Sequence, residues 1–478
     1  MINMNQTSFA QLKKVVFTKQ KTLEEIYRLY GDESLFDYVN KRWTVSPAKI
    51  SSPFLELFGG LLKKLYGQDV VSVALDQLEN YPLVSTIDHH GLLNHPFFLN
   101  SNLIFSLRSN IECLICFSTS GISLNNSSWP GCLLVNTEKG LKRFSFFSDR
   151  SKTHCVFSMP AVGPENVKKV LQQIRINDSL RKSEKVNLEE LIGEIFTSNI
   201  CQLPNFSQQA CLLSSALWSK IFPQAPKVIY LPLEDLISQI ISEIIVPSHS
   251  HILHQLLFTP KGWLLIEKYF TGSLGAFSGQ HKGSFLFWGV DKKGHRIHLQ
   301  HEDDRIKGVP YSLKLDPEAI SQALKQRELY PTSLVCFLTL LYYQFTCLGG
   351  FNQVNWLTNI KEKFLKLLEE IGEKELADKI KSVETKNFAE GNLTFLFNQD
   401  KFYQATGIDL YLTGKDWYQK YQNLAGELTL GESIESGLPE IYKIITLADQ
   451  RKEELLAINH QDIAKFNGME QKIRKFLF

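Results

Sequence analysis

The chain has 478 residues, 44% of them hydrophobic and 21% charged, which is enough apolar material for roughly two to four domains. A net charge of +2 gives no strong pull toward nucleic acid or a membrane surface. Met1 to Phe9 carries no apolar signal core, and no run reaches the ~18 uncharged apolar residues of a membrane helix. The expectation is a cytoplasmic protein with a small-molecule substrate and neither nucleic acid nor membrane as partner.

Residues 22–43 and 52–66 read as helices, the first with Thr22 and Glu25 in capping-box spacing. A third helix is expected over 68–80. Next comes an apolar run, Leu83-Val84-Ser85-Thr86-Ile87, that ends in Asp88-His89-His90-Gly91 and reaches His95-Pro96. Pro96 suits a first helical turn, so Phe97 to Leu107 reads as an amphipathic helix, and Ile111 to Phe117 as a second buried strand. Strand, loop, helix, strand is a βαβ unit. In doubly wound sheets ligands collect beyond the carboxyl ends of such strands, where this chain has one carboxylate and three imidazoles.

Further along, 133–136 and 142–146 flank Glu138-Lys139-Gly140, a hairpin signal. Helices are expected over 164–174 and 187–222, a short strand over 228–231, and a helix over 232–245. A strand, turn, strand pattern spans 284–301. Helices follow at 317–328, 333–347 and 354–371. From about residue 400 the pattern is mostly helical, with a strand-like interlude over 407–412.

Asp88, His89 and His90 have the composition of a proton-transfer site, since an imidazole near its ordinary pKa of roughly 6.5 can take or give a proton at neutral pH. His89 or His90 would be the general base and Asp88 its orienting carboxylate. The same tripeptide occurs in DHH-type metal-dependent phosphoesterases. Those enzymes need an upstream cluster of His and Asp ligands, and here no histidine precedes His89. The plain structural alternative is that Asp88 and the imidazoles cap the Pro96 helix.

The segment Ser118 to Ser128 is dense in hydroxyls and amides and free of charge. Ser118, Ser120, Ser123, Asn125 and Asn126 could hold a polar ligand through neutral hydrogen bonds, although a surface loop would have the same composition. Gly349-Gly350-Phe351-Asn352-Gln353 adds paired glycines, which allow a close backbone approach or simply end a helix. Cys113 and Cys116 form a lone CxxC inside an apolar strand, where i and i+3 face opposite sides, so they read as packing residues. The histidines at 249, 251 and 254 lack an acidic companion. No metal site and no particular cofactor is specified.

Three of these stretches, in order and spacing, resemble the bacillithiol-biosynthesis cysteine-adding enzyme family. Its T-G-Q-Q-x-G-L-x-x-G-P loop is matched at Thr86, Gly91, Leu92 and Pro96, with Asp88 and His89 in place of the glutamines and His95 in place of a glycine. Its G-G-P-G-E loop is similar to Gly349-Gly350-Phe351-Asn352-Gln353, with Gln353 in place of the Glu. Its acidic E-D-H-D loop has no counterpart; Gly121-Ile122-Ser123-Leu124 stands there. The resemblance implies a Rossmann-like core, an inserted small region, a helical C-terminal part, and a cleft lined by Thr86, Gly91, His95, the 118–128 loop and Gly349 to Gln353. It also implies an enzyme that adds an amino acid to a sugar conjugate.

The fold expectation is therefore α/β: a Rossmann-like parallel-sheet core with a helical start (1–248), an inserted region with a β-hairpin (249–315), a return to the core carrying the Gly-Gly loop (316–399), and a helical C-terminal part (400–478) that could pair two copies. The leading functional expectation is a small-molecule biosynthetic enzyme of ligase or transferase type. Metal-dependent phosphoester hydrolysis and a non-catalytic binding or scaffold role are the alternatives.

Overall fold

A computed structural model describes residues 6–45, 48–89, 92, 95–109, 111–273, 283–389, 391–398, 401–414 and 416–477. At its centre lies a four-stranded parallel sheet. We number these strands β1 (Leu83–Ser85), β2 (Cys113–Ser118), β3 (Lys227–Pro232) and β4 (Thr346–Leu348). Their order across the sheet is β4-β1-β2-β3. The chain steps outward from β1 to β3 and then returns to the other side of β1, so a topological switch point lies between β1 and β4. The register pairs Leu83 with Thr346, Ser85 with both Leu348 and Cys116, and Cys116 with Tyr230.

Both faces of the sheet are covered, as a parallel sheet requires. Alternation along β2 sends Leu114 and Cys116 into one apolar cluster and Cys113, Ile115 and Phe117 into the other. Cys113 and Cys116 thus lie on opposite faces. The first cluster joins the helix α1 (Pro96–Ser106), the N-terminal helices and the helical C-terminal part. The second takes in the helices Ser52–Tyr66, Asp69–Asn80, Ser333–Tyr342 and Gln353–Ile371, together with α2 (Leu233–Ile240).

α1 departs from the amphipathic expectation. Every residue from Phe98 to Ser106 is buried, because the helix is enclosed between the sheet and the C-terminal part. Each large apolar side chain so buried contributes about 1.5–3 kcal/mol. Its Asn100 ties it to the C-terminal part: Asn100 Oδ1 accepts from the backbone N–H groups of Leu393 (2.6 Å) and Thr394 (2.7 Å).

Other elements also differ from the sequence pattern. The helix expected over 333–347 stops at Tyr342, Gln344 takes a left-handed φ of 61°, and Thr346–Leu348 becomes β4. A strand of three residues is too short for alternation to show. Residues 407–412 are helical, because Thr406 and Asp409 form a capping box at its start. A hairpin, Phe395–Asn398 with Lys401–Gln404, precedes that helix. The expected strand 295–301 is broken. Arg296–Ile297 pairs with Phe287–Val290, while Gln300–Glu302 joins Arg305–Gly308 in a second small sheet. A helix over Gln6–Lys19 also precedes the first one expected. Lys13 of that helix bonds Glu435 of the C-terminal part at 2.8 Å. Among the described residues, no helix is long and apolar enough to cross a membrane.

Candidate functional site at the switch point

The backbone N–H of Thr86, just beyond β1, donates to Leu348 O of β4 at 3.0 Å. The Thr86 hydroxyl accepts from Gln353 Nε2 at 2.7 Å. Gly349 makes this bond feasible. A Cβ there would stand 2.1 Å from Gln353 Cδ, so any side chain would evict the amide. The β1 loop also touches the β2 loop. Thr119 N–H donates to Asp88 O at 2.7 Å, and the His89 Nδ1–H faces Asn126 Oδ1 at 3.4 Å. All three stretches singled out by sequence therefore meet beyond the carboxyl ends of adjacent parallel strands. Of the expected residues, His90 and Gly91 lie outside the described ones.

Asp88 turns inward. It is 3% exposed and its Oδ2 accepts from Asn102 Nδ2 at 3.0 Å. The same amide nitrogen also lies 2.6 Å from the Tyr230 hydroxyl, and Asn102 Oδ1 accepts from the Cys116 thiol at 3.2 Å. Removal from water pushes the Asp88 carboxyl up to about 7, with the bonds from Asn102 and Tyr230 opposing only part of the rise. Among the described residues it is Asn126, not Asp88, that orients His89.

Desolvation lowers the His89 pKa, so its imidazole is neutral at pH 7. With Nδ1–H directed at Asn126, the lone pair sits on Nε2. His95 caps α1, its Nδ1 accepting from Phe97 N–H at 3.4 Å, and burial together with the neighbouring His89 pushes its pKa down to about 3. The Phe98 ring lies 5.3 Å from His89 and 5.2 Å from His95, an apolar wall that accounts for both neutral rings.

The β2 loop is differently disposed. Ser120 is fully buried, and its N–H and hydroxyl both donate to Glu234 Oε2 at 2.7 Å; Gly121 N–H donates to Glu234 Oε1 at 2.7 Å. Ser118 is buried on Asp88 O at 3.3 Å. These donors are consumed by the protein itself. Ser123 bonds exposed Asn125 at 2.6 Å. Asn126 Oδ1 also accepts from Ser128 N–H and its hydroxyl. Asn352 points to the N-terminal helices, accepting from Gln20 Nε2 at 2.8 Å, and Gly350 O accepts from Gln353 N–H.

His95, Pro96 and Phe97 open onto a cleft of about 420 Å³ between the core and the C-terminal part. Across it stand Trp129, Tyr403, Glu440, Lys443 and His460. Burial, then Lys443, hold the His460 imidazole down to about 4, so this ring too is neutral at pH 7. Asp88 and Gln353 do not line the cleft; they brace the loop that leads into it. Asn102, Tyr230, Glu234 and the C-terminal lining residues were not found from sequence. Only Asn102 left a local signal, a polar amide in an apolar helix that has to find a partner. Elsewhere, His249 Nδ1 and His254 Nε2 bond each other at 3.1 Å. Among the described residues, no group of three His, Cys, Asp or Glu side chains is arranged to hold a metal ion.

Fold and site together define a Rossmann-like α/β protein whose β1, β2 and β4 loops meet beyond the strand ends, with a cleft toward the C-terminal part opening at His95. No known family model matches the chain, and no curated protein sequence is significantly similar to it.

Proposed function

We propose that the chain is a small-molecule biosynthetic enzyme that joins or transfers a polar group, such as an amino acid, onto a small polar substrate. The observation that carries this reading is the convergence of the β1, β2 and β4 loops at the switch point, with a neutral imidazole held by an amide and a cleft opening beside it. In this reading His89 Nε2 takes the proton of the attacking N–H or O–H group as that group bonds to the donor's acyl carbon, and returns it to the group that leaves as the old acyl bond breaks, while Asn126 fixes the tautomer through Nδ1. His95 and the polar groups of the cleft hold the acceptor. Asp88 acts through position: its bonds to Asn102, together with that of its carbonyl to Thr119, set the course of the loop. The resemblance to the bacillithiol cysteine-adding family points the same way, with a sugar conjugate as the acceptor class.

The test is incubation of the full chain with amino acids, supplied free and as activated esters, and hydroxylated amine acceptors, read by mass spectrometry for a joined product. A new product mass that disappears in His89→Asn supports the reading. Saturable binding of the acceptors without any product would favour the scaffold alternative and remove the catalytic one.

A further inference from the structure

A second hollow, of about 320 Å³, lies on the far side of Trp129 from the cleft. Leu124, Cys132 and Phe147 give it an apolar floor, and Arg143, Asp149 and Lys152 stand at its rim. The Arg143 guanidinium carbon lies 3.7 Å from the centre of the Trp129 ring, stacked on it. Among the described residues, neither Arg143 nor Lys152 has a carboxylate partner. Two cations against the single carboxylate of Asp149 leave the rim with a charge of +1. The backbone supports the shape at some cost. Trp129 holds a left-handed φ of 50°, which a bulky residue rarely adopts, and the turn is closed by Trp129 N–H to Asn126 O at 2.8 Å. Gly131 has φ 98°, and a Cβ there would press on Phe147 at 2.8 Å. Strain of this kind persists where the surroundings hold it in place, and here it sets a flat indole upright as a wall with a guanidinium fork fixed upon it.

We infer that this hollow is a binding site for a small organic anion with a flat apolar body, an aryl carboxylate or an aryl phosphate. The ring lies on the Leu124 and Phe147 floor beside the Trp129–Arg143 stack. The anionic group meets the guanidinium fork of Arg143, whose paired N–H donors match a carboxylate or a phosphate, and Lys152 closes from the opposite rim. Asp149 stays clear of the anion and disfavours it. The inference is independent of the reaction proposed above, since none of its residues serves there except Trp129, which forms the back of both hollows.

Calorimetric titration of the full chain with phenyl phosphate, phenylacetate and neutral 2-phenylethanol tests it. The expectation is saturable binding of at least one anion and about tenfold weaker binding of the alcohol. Tighter binding of phenyl phosphate assigns a phosphate ligand, and tighter binding of phenylacetate a carboxylate. Arg143→Gln, a change at an exposed residue, should weaken the anion about tenfold with the melting temperature unchanged. Asp149→Asn should tighten it by about two- to fivefold. No saturable binding of either anion at millimolar concentration, equal binding of the alcohol, or an unchanged affinity in Arg143→Gln would overturn the assignment. Weaker binding in Asp149→Asn would overturn it too, since it would mean a ligand held through a cationic group.

Discussion

The loops after β1 and β2 leave the same end of the sheet, and they treat their polar groups in opposite ways. In the β2 loop the donors at Ser120 and Gly121 converge on one buried carboxylate, Glu234, at three distances of 2.7 Å. That is the geometry in which such a turn would grip a ligand's anion, and the chain has filled it from within. In the β1 loop the buried carboxylate, Asp88, faces an amide and a phenol below, the His95 imidazole lines the cleft, and His89 stands behind it against the same Phe98 ring. One strand end is closed by the Glu234 side chain of α2 and gives rigidity. The other is braced from beneath and leaves its titratable groups usable. A polar, uncharged loop beyond a strand is therefore no guide to ligand binding until the occupant of its donors is known.

The largest effect expected from this contrast is on turnover. His89→Asn should lower the rate of the proposed joining reaction by about 10²–10⁴-fold, the usual range for loss of a general base, while the melting temperature stays within a degree or so. Steady-state rates per folded molecule check this, and full activity would move the catalytic group elsewhere. Next comes the closed loop. Glu234→Gln places an NH₂ group against donors that need an acceptor, in a site 3% exposed. A loss of about 3 kcal/mol of stability is expected, measured by urea unfolding. A loss below about 0.5 kcal/mol would mean that the three bonds contribute nothing net, and the contrast between the loops would collapse.

The parts of this arrangement differ in how far they could be read from the residues. β1, α1, β2, the 132–145 hairpin and β3 were legible because each is an apolar run bounded by turn residues or proline. The meeting of the Asp88 and Ser118 stretches was legible from their place beyond strand ends, and the family resemblance alone joined the Gly349 stretch to them. β4 was not, since three residues running on from an apolar helix carry no period of their own, and only pairing with β1 makes them a strand. Glu234 and Tyr230 were not legible either. Their partners lie more than a hundred residues away, and an acidic residue in the first turn of a helix looks like ordinary capping until its neighbours are known. Asp88 adjoins the imidazoles in sequence, which points its carboxylate at them, whereas burial drives it toward the amide of Asn102.

That inward turn has a signature in pH. The folded pKa of Asp88 is about 7 and its ordinary value 3.8, so between those limits the folded chain keeps a proton that the unfolded chain has released. Stability therefore falls as pH rises through this window, and the full cost is present above it. His95 has the opposite sign. Its folded pKa of about 3 lies below the ordinary 6.5, so its contribution favours folding above pH 6.5 and is lost as pH falls toward 3. Comparing Asp88→Asn with the parent cancels the histidine and isolates the carboxyl. The asparagine can still accept from Asn102 and carries no charge. Its stability advantage should grow by about 2–3 kcal/mol between about pH 5 and about pH 8. An advantage that does not change with pH would mean that Asp88 is paired or solvated, and the view of it as a brace would fail.

The smallest effect tests the link between the β1 and β4 loops. Gly349→Ala forces the Gln353 side chain aside and breaks its bond to Thr86. Overpacking of this kind costs about 1–3 kcal/mol. Gln353→Ala removes the obstacle along with the bond, and Thr86 Oγ1 still has Leu348 O at 3.2 Å, so this change alone should cost about 1 kcal/mol. The two substitutions should then be strongly non-additive. With Gln353 already shortened, the added methyl meets far less crowding, and the double variant should be more stable than the sum of the singles predicts by about 1–2 kcal/mol. Additive losses would mean that the glycine serves only its backbone, and that the amide at 353 is free to turn toward the crevice. In that case Gln353 would belong with the ligand-facing groups of the β1 loop and not with the brace beneath it.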